Sequence, residues 1–201
     1  MKKIKIAFIG AGNMSKEHIK CFADEKNVEI EGIFSRTRSK SEILSKLFKI
    51  KHVCDSVEEL YVKTKADLVI VCVPILMNKI VCLEVFKYPW VSLIEKPIGY
   101  NYSQAKEIFL EQKKQRANSF VALNRRHYNS TLVAYNEFKN IEGVRIVQIH
   151  DQEDILLAQK ANHPKMVLKN WMYANSIHLI DYLSLFCRGE VLSVENTIPW
   201  N

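Results

Sequence analysis

The sequence lacks any apolar run of the length a bilayer-spanning helix requires, which excludes a helical span within these residues. It also lacks a C-x-x-C pair. Its five cysteines, Cys21, Cys54, Cys72, Cys82 and Cys187, are widely spaced and have no histidine partner at ligand spacing. That excludes the common zinc patterns, and an odd number of thiols in apolar surroundings reads as reduced core cysteines. No basic block interleaves with aromatics, although the formal net charge is +7. Dispersed lysines and arginines of this kind fit solvated helix faces and a site for an anionic ligand better than a nucleic-acid surface. The start, Met1-Lys2-Lys3, leads directly into a short strand, without the apolar core of a signal peptide. The expectation is a cytoplasmic chain with no bound metal, no nucleic-acid partner and no membrane.

What is present is an ordinary globular composition, with 48% hydrophobic and 25% charged residues. Strands and helices alternate through the first 122 residues. Ile4–Ile9, Val28–Phe34, Asp67–Val73, Val91–Ile94 and Phe120–Leu123 read as strands. Asn13–Asp24, a segment opened by Ser39 and Glu42, one opened by Ser56 and Glu59, Leu76–Lys87 and Ser103–Lys114 read as helices. Strands joined by helices of this length imply right-handed crossovers and a parallel sheet. The fold class is therefore α/β, with an N-terminal Rossmann sheet over residues 1–123.

After Asn124 the rhythm changes. A helix over Tyr128–Phe138, a strand over Val144–His150, an irregular stretch Asp151–Pro164, a helix Ala174–Phe186 and a strand start at Val191–Val194 describe a second α+β domain, 124–201. It is incomplete as it stands, because one strand and the start of another make no stable sheet. The chain is expected to be either a fragment or a shortened form completed by a partner.

The turn Gly10-Ala11-Gly12-Asn13-Met14-Ser15 directly follows the first strand. Gly10 lets the chain leave the strand sharply, and Gly12 removes the side chain that would block a pyrophosphate from the helix N-terminus. The third position needs a small residue, and Ser15 is small. Where NAD-selective units carry an acid at the end of the second strand, this chain has Ser35-Arg36-Thr37-Arg38. A carboxylate would repel a 2′-phosphate, whereas a guanidinium and a hydroxyl hold it. NADP is the preferred cofactor, with NAD possible. The plainer reading, solvated arginines ahead of a helix, stays open.

Glu95-Lys96-Pro97 sits at the carboxyl end of a strand, where ligands of an open α/β sheet bind. Lys96 beside a cationic nicotinamide could exchange a proton with a substrate hydroxyl or carbonyl. From spacing alone, a solvent-exposed lysine at a strand terminus explains it equally well. His178 lies beside an apolar face made by Ile177, Ile180, Leu183 and Leu185, and by itself reads as a core histidine.

The glycine turn, the strand Val69–Pro74, Glu95-Lys96-Pro97, Asn124-Arg125-Arg126 and His178-Leu179-Ile180-Asp181 occur in the order of the Gfo/Idh/MocA oxidoreductases, and the chain resembles that family over nearly its whole length. The resemblance implies an N-terminal NAD(P)-binding Rossmann domain and a C-terminal domain on a large open sheet that often mediates oligomerisation. It further implies sugars, inositols, sugar nucleotides or related polyols as substrates.

Carried onto this sequence, it makes Lys96 the catalytic lysine, Glu95 its neighbour and His178 the histidine at the reacting oxygen. Residues expected to hold the dinucleotide are then Gly10, Gly12, Asn13, Met14, Ser35, Arg36, Pro74 and Glu95. Beside Lys96 and His178, the substrate candidates are Lys165, Asn170, Trp171, Tyr173 and Asn175, although Trp171 and Tyr173 could equally be core.

The chain departs from the family at two positions. Ala174 stands where the family often has an acid four residues before the histidine, and Asn78 stands where it has a histidine after the fourth strand's proline. Asp181 matches a frequent family residue and is expected to orient the helix or the ring. The expected activity is an NADP-dependent oxidoreductase acting on a sugar-like substrate, a homo-oligomer if the second domain is complete. The alternative is a catalytically impaired dinucleotide-binding sensor or a subunit of a larger assembly.

Overall fold

The computed structural model describes residues 3–187 and 189–195. Six parallel strands form one sheet in the order β3-β2-β1-β4-β5-β6. They are β1 Ile4–Ile9, β2 Val28–Phe34, β3 His52–Cys54, β4 Leu68–Val71, β5 Val91–Ile94 and β6 Ser119–Val121. The order reverses between β1 and β4, and the carboxyl ends of strands flanking such a switch form the ligand crevice of a doubly wound sheet. Helices α1 Asn13–Ala23, α2 Arg38–Phe48, α3 Val57–Thr64, α4 Asn78–Val85 and α5 Tyr102–Gln115 make the crossovers.

The apolar runs of β1 and β4 are continuous because both faces of the sheet are covered. Ile6 and Phe8 of β1 pack with Ile19, Ile33, Leu44 and Ile70 on one side. Ala7 and Ile9 pack on the other with Leu60, Val69, Val71, Val85, Trp90 and Ile108. Full burial of an aromatic or branched side chain contributes about 1.5–3 kcal/mol, and successive residues of β1 stabilise the layers on opposite faces of the sheet in turn. Trp90 closes the second layer, its indole N–H donating to Val85 O at 2.9 Å.

On β2, the buried carboxylate of Glu31 is compensated by Lys5 and Lys51, each at 3.6 Å, and His52 Nε2 lies 3.9 Å away. Some of the positive charge therefore serves the sheet. Among the described residues, no helix is long and apolar enough to cross a membrane.

One helix start differs from expectation. Helix α2 begins at Arg38 after Thr37, so Ser39 lies inside its first turn and caps nothing. At α3 the expected start holds: the Ser56 hydroxyl accepts from Glu59 N at 3.0 Å, and Glu59 reaches back to the Asp55 amide at 2.6 Å. Strand β3 was missed because three residues carry no periodicity. It exists through pairing, with Gly32 opposite His52 and Phe34 opposite Cys54.

The chain forms two compact units. The first contains residues up to Ala122 together with Asp154–Asn175, a segment that the sequence assigned to the second domain. Within Asp151–Pro164, expected to be irregular, Ile155–Lys160 is helical. Asp154 caps α7 Ile155–Lys160 by accepting from Leu157 N at 2.9 Å, and α8 Lys165–Lys169 follows Pro164.

The second unit, Leu123–Glu153 and Ser176 onward, contains a 3-10 turn Asn124–His127, α6 Asn129–Phe138 and α9 Ile177–Phe186. A π turn, Met172–Ser176, replaces the expected α-helical start at Ala174. The Arg126 guanidinium grips the Asp181 carboxylate through two N–H groups, and the Tyr182 hydroxyl donates to Arg125 O at 3.2 Å. The Asn124-Arg125-Arg126 and His178–Asp181 motifs thus meet through an ion pair between Arg126 and Asp181.

The strands expected at Val144–His150 and Val191–Val194 are absent. A strand exists only as part of a hydrogen-bonded ladder, and among the described residues none follows Val121. Val144, Ile146 and Leu192 are each more than 90% exposed, as apolar strand faces without a sheet must be.

Candidate active site

A cleft of about 590 Å³ lies over the carboxyl ends of β1, β2, β4 and β5, within the usual size range of a small-molecule site. The glycine turn forms its floor. Gly10 has φ +106°, and a Cβ there would lie 2.0 Å from the Cys72 carbonyl oxygen, so this position accepts glycine alone. Gly12 is different: a Cβ there would meet nothing within 4 Å, because it would project into open space. Gly12 is also the N-cap of α1, with no side-chain cap and no acid in the first turn. The first amides of α1 therefore remain available to an anion. Ser15, one turn on, is fully buried and brings α1 against the sheet. These features fit a dinucleotide pyrophosphate.

Asn13, Met14, Ser35, Arg36 and Pro74 also line the cleft, as does Lys40. The Arg36 guanidinium lies 3.7 Å from the Met77 sulfur. Arg38 is turned away, donating to Glu42 at 3.1 Å and to Asp55. Both bonds raise its pKa, that to Asp55 more. Two cations, Arg36 and Lys40, therefore stand at the end of β2 with the hydroxyls of Ser35 and Thr37.

At the end of β5, the Glu95 amide donates to Val71 O at 2.8 Å, tying the tripeptide to the neighbouring strand. Its carboxylate accepts from His18 Nε2 at 2.8 Å and from the Lys96 amide at 3.1 Å. The Lys96 ammonium donates to Ala174 O at 3.0 Å. Asn78 is buried, and its side-chain amide donates to Pro97 O at 2.7 Å. It supports the loop from behind, in the place of the family's histidine. The Cys72 thiol, also at the cleft, is pushed up to about 12 by burial, then by the Glu95 charge, against a smaller opposite effect of Ser15. It is a protonated wall group.

All eight expected dinucleotide residues and Lys96 line this one cleft. From the segment Asp154–Asn175 it receives His163, Pro164 and Val167, none of which was expected. Among the substrate candidates there, Trp171 packs edge-on against His163, with ring centroids 5.1 Å apart. Asn170 donates to Met166 O at 2.9 Å, capping its own helix. Lys165, Tyr173 and Asn175 are not part of the lining. His178 is buried on α9, in the second unit.

Three residues had readable signals. His18 lies one helical turn beyond the small Ser15, on the buried side of α1. Lys40 is the third residue of α2 and would have been placed at the mouth of β2 had the helix start been set at Arg38. His163-Pro164 marks a helix start.

A family model described as "Oxidoreductase family, NAD-binding Rossmann fold", that of Gfo/Idh/MocA, matches residues 4–123. The chain belongs to the Gfo/Idh/MocA oxidoreductases. No curated protein sequence matches. Among solved structures, the scyllo-inositol dehydrogenase of Lactobacillus casei is similar at TM-score 0.62 and 17% identity, covering 69% of this chain and 42% of that one. The WlbA dehydrogenase of Chromobacterium violaceum, solved with NADH and UDP-GlcNAcA, gives 0.63 and 16%, covering 69% and 40%. An NAD-binding protein of Listeria innocua gives 0.59 and 22%, again covering 69% and 40%. Identities of this size establish a shared fold. The chain spans about two fifths of the length of these relatives. Among the described residues, no cluster of three His, Cys, Asp or Glu could hold a metal ion.

Proposed function

We propose that this protein is an NADP(H)-dependent oxidoreductase acting on a hydroxyl or carbonyl of a sugar, sugar nucleotide or polyol. The observation that carries the reading is that Lys96 shares one cleft with the glycine turn and the uncapped N-terminus of α1. When bound there, the nicotinamide would supply or accept the hydride. The residues of the chain do the rest. Gly10 and Gly12 admit the pyrophosphate, Arg36 and Lys40 with Ser35 hold a 2′-phosphate, and Lys96 passes a proton to or from the substrate oxygen. Family resemblance adds His178 as the residue that orients that oxygen. The sugar-like substrate class follows from membership of the family and from the inositol and UDP-sugar dehydrogenases among its structural relatives.

One observation favours a second reading, dinucleotide binding without turnover. The Lys96 ammonium is held by a backbone carbonyl, that of Ala174, at the position where the family often has an acid. A carbonyl can orient a lysine but cannot take up a proton. Lys96→Ala separates the two readings. For an enzyme, it abolishes NADPH oxidation against a panel of ketoses, inosose and keto-sugar nucleotides while NADPH affinity stays within a few-fold. A wild-type protein that binds NADPH and oxidises none with any of these carbonyl compounds overturns the enzyme reading.

A further inference from the structure

Sequence motifs draw attention to Lys96, but what holds its backbone comes from another element. Glu95 has two carboxylate oxygens, and both are used. One accepts from His18 Nε2 at 2.8 Å, the other from the Lys96 amide at 3.1 Å. The His18 side chain is 20% exposed and that of Glu95 11%, so the bond is screened from water. A carboxylate that far from solvent needs its partners, since each donor it loses leaves charge unsolvated. The Glu95 amide is already committed to Val71 O on β4. His18 therefore fixes the remaining freedom of this residue, the rotation that decides where its carboxylate lies and whether it can accept from Lys96 N.

His18 belongs to α1, whose N-terminus faces the cleft and whose Ser15 is packed against the sheet. One rigid helix thus carries the anion-binding amides at its first turn and the clamp on Glu95 in its second. We propose that His18 is a positioning residue. Through Glu95 it sets the backbone of Lys96, so that the ammonium stands at the cleft in fixed register with the dinucleotide site. This rests on the reading of Lys96 as the proton-transferring residue, although the positioning itself is measurable without any turnover.

The test uses the full chain and three forms: wild type, His18→Leu, which keeps bulk and removes the donor, and His18→Gln, whose amide can donate from a similar place. Lys96 is labelled with trinitrobenzenesulfonate over a pH series, and its modification rate is read by peptide mass spectrometry against exposed Lys139 and Lys46 as internal references. The expected result is a change of three-fold or more in the relative rate at Lys96 in His18→Leu, with His18→Gln within two-fold of wild type. Equal Lys96 rates in His18→Leu and wild type would overturn the proposal. So would a His18→Gln protein that behaves as His18→Leu, since packing and not the hydrogen bond would then be the role. Should His18→Leu fail to fold, a His18→Gln rate more than three-fold from wild type also overturns it. If the labelling contrast holds while Lys96→Ala leaves turnover unchanged, Lys96 is not the proton-transferring residue, and the positioning by His18 stands.

Discussion

Gly10 and Cys72 stand so close that a Cβ on the glycine would be 2.0 Å from the cysteine's carbonyl oxygen. The approach is backbone against backbone, where β1 ends and β4 leaves the sheet, and Cys72 N also donates to Ile9 O at 2.8 Å. Neither partner can move without breaking that ladder. With φ at +106°, the position is closed to an L-residue twice over. Gly10→Ala is expected to cost more than about 2 kcal/mol of stability, read as a fall in the midpoint of chemical denaturation.

Gly12→Val should do the opposite. Its Cβ enters open space in the cleft, so the thermal midpoint stays within a degree or two. Binding of NADPH, followed by fluorescence titration, should be lost, because the side chain occupies the ground of the pyrophosphate. A Gly12→Val protein that binds NADPH normally would mean that the dinucleotide does not lie over α1.

Cofactor preference turns on the end of β2. Arg36→Ala should weaken NADPH by about 1.5–3 kcal/mol, the range for hydrogen bonds to a charged group, with little change for NADH. Lys40→Ala should act in the same direction. Arg38→Ala should not, since Arg38 is held by Glu42 and Asp55. Isothermal titration with both cofactors distinguishes the three, and equal losses for NADH and NADPH would remove the 2′-phosphate from this site.

The cysteines divide by burial. Cys21 and Cys187 are exposed, whereas Cys54, Cys72 and Cys82 are buried. Burial pushes both Cys72 and Cys82 up to about 12. Iodoacetamide at pH 8 should label Cys21 and Cys187 and spare the other three, by mass mapping of the native protein. An acid whose folded pKa is raised gives its full stability below its unfolded value and loses it as pH rises toward the folded one. Cys82→Ala should therefore flatten the decline in stability between about pH 9 and 12, by at most ~1.4 kcal/mol per pH unit.

In the second unit, Arg126 and Asp181 join two motifs that are 55 residues apart. Their bonds raise the Arg126 pKa, chiefly through the hydrogen bond to Asp181. A double-mutant cycle of Arg126→Ala and Asp181→Ala is expected to give a coupling of about 1 kcal/mol, modest because the arginine is partly solvated. A coupling indistinguishable from zero would assign Asp181 to another partner.

How much of this was legible beforehand depends on whether the information was local. The apolar run Ile4–Ile9, the turn that follows it, Glu95-Lys96-Pro97 and the Ser56–Glu59 start are complete within a few residues, and each could be read directly. Burial on both sheet faces, the demand for glycine at a turn and the cap of a helix are set by near neighbours in the chain. The tertiary structure alone decided three things. His52–Cys54 became a strand because β2 offered a ladder, whereas Val144–His150 and Val191–Val194 found none. Arg36 was expected at the cleft, and the structure added that Arg38 is turned from it by Asp55, 17 residues further along the chain. His18 met Glu95 across 77 residues. Pairing of strands, competition for an ion-pair partner and the meeting of a helix with a strand end are set by distances through space, and no spacing along the chain encodes them.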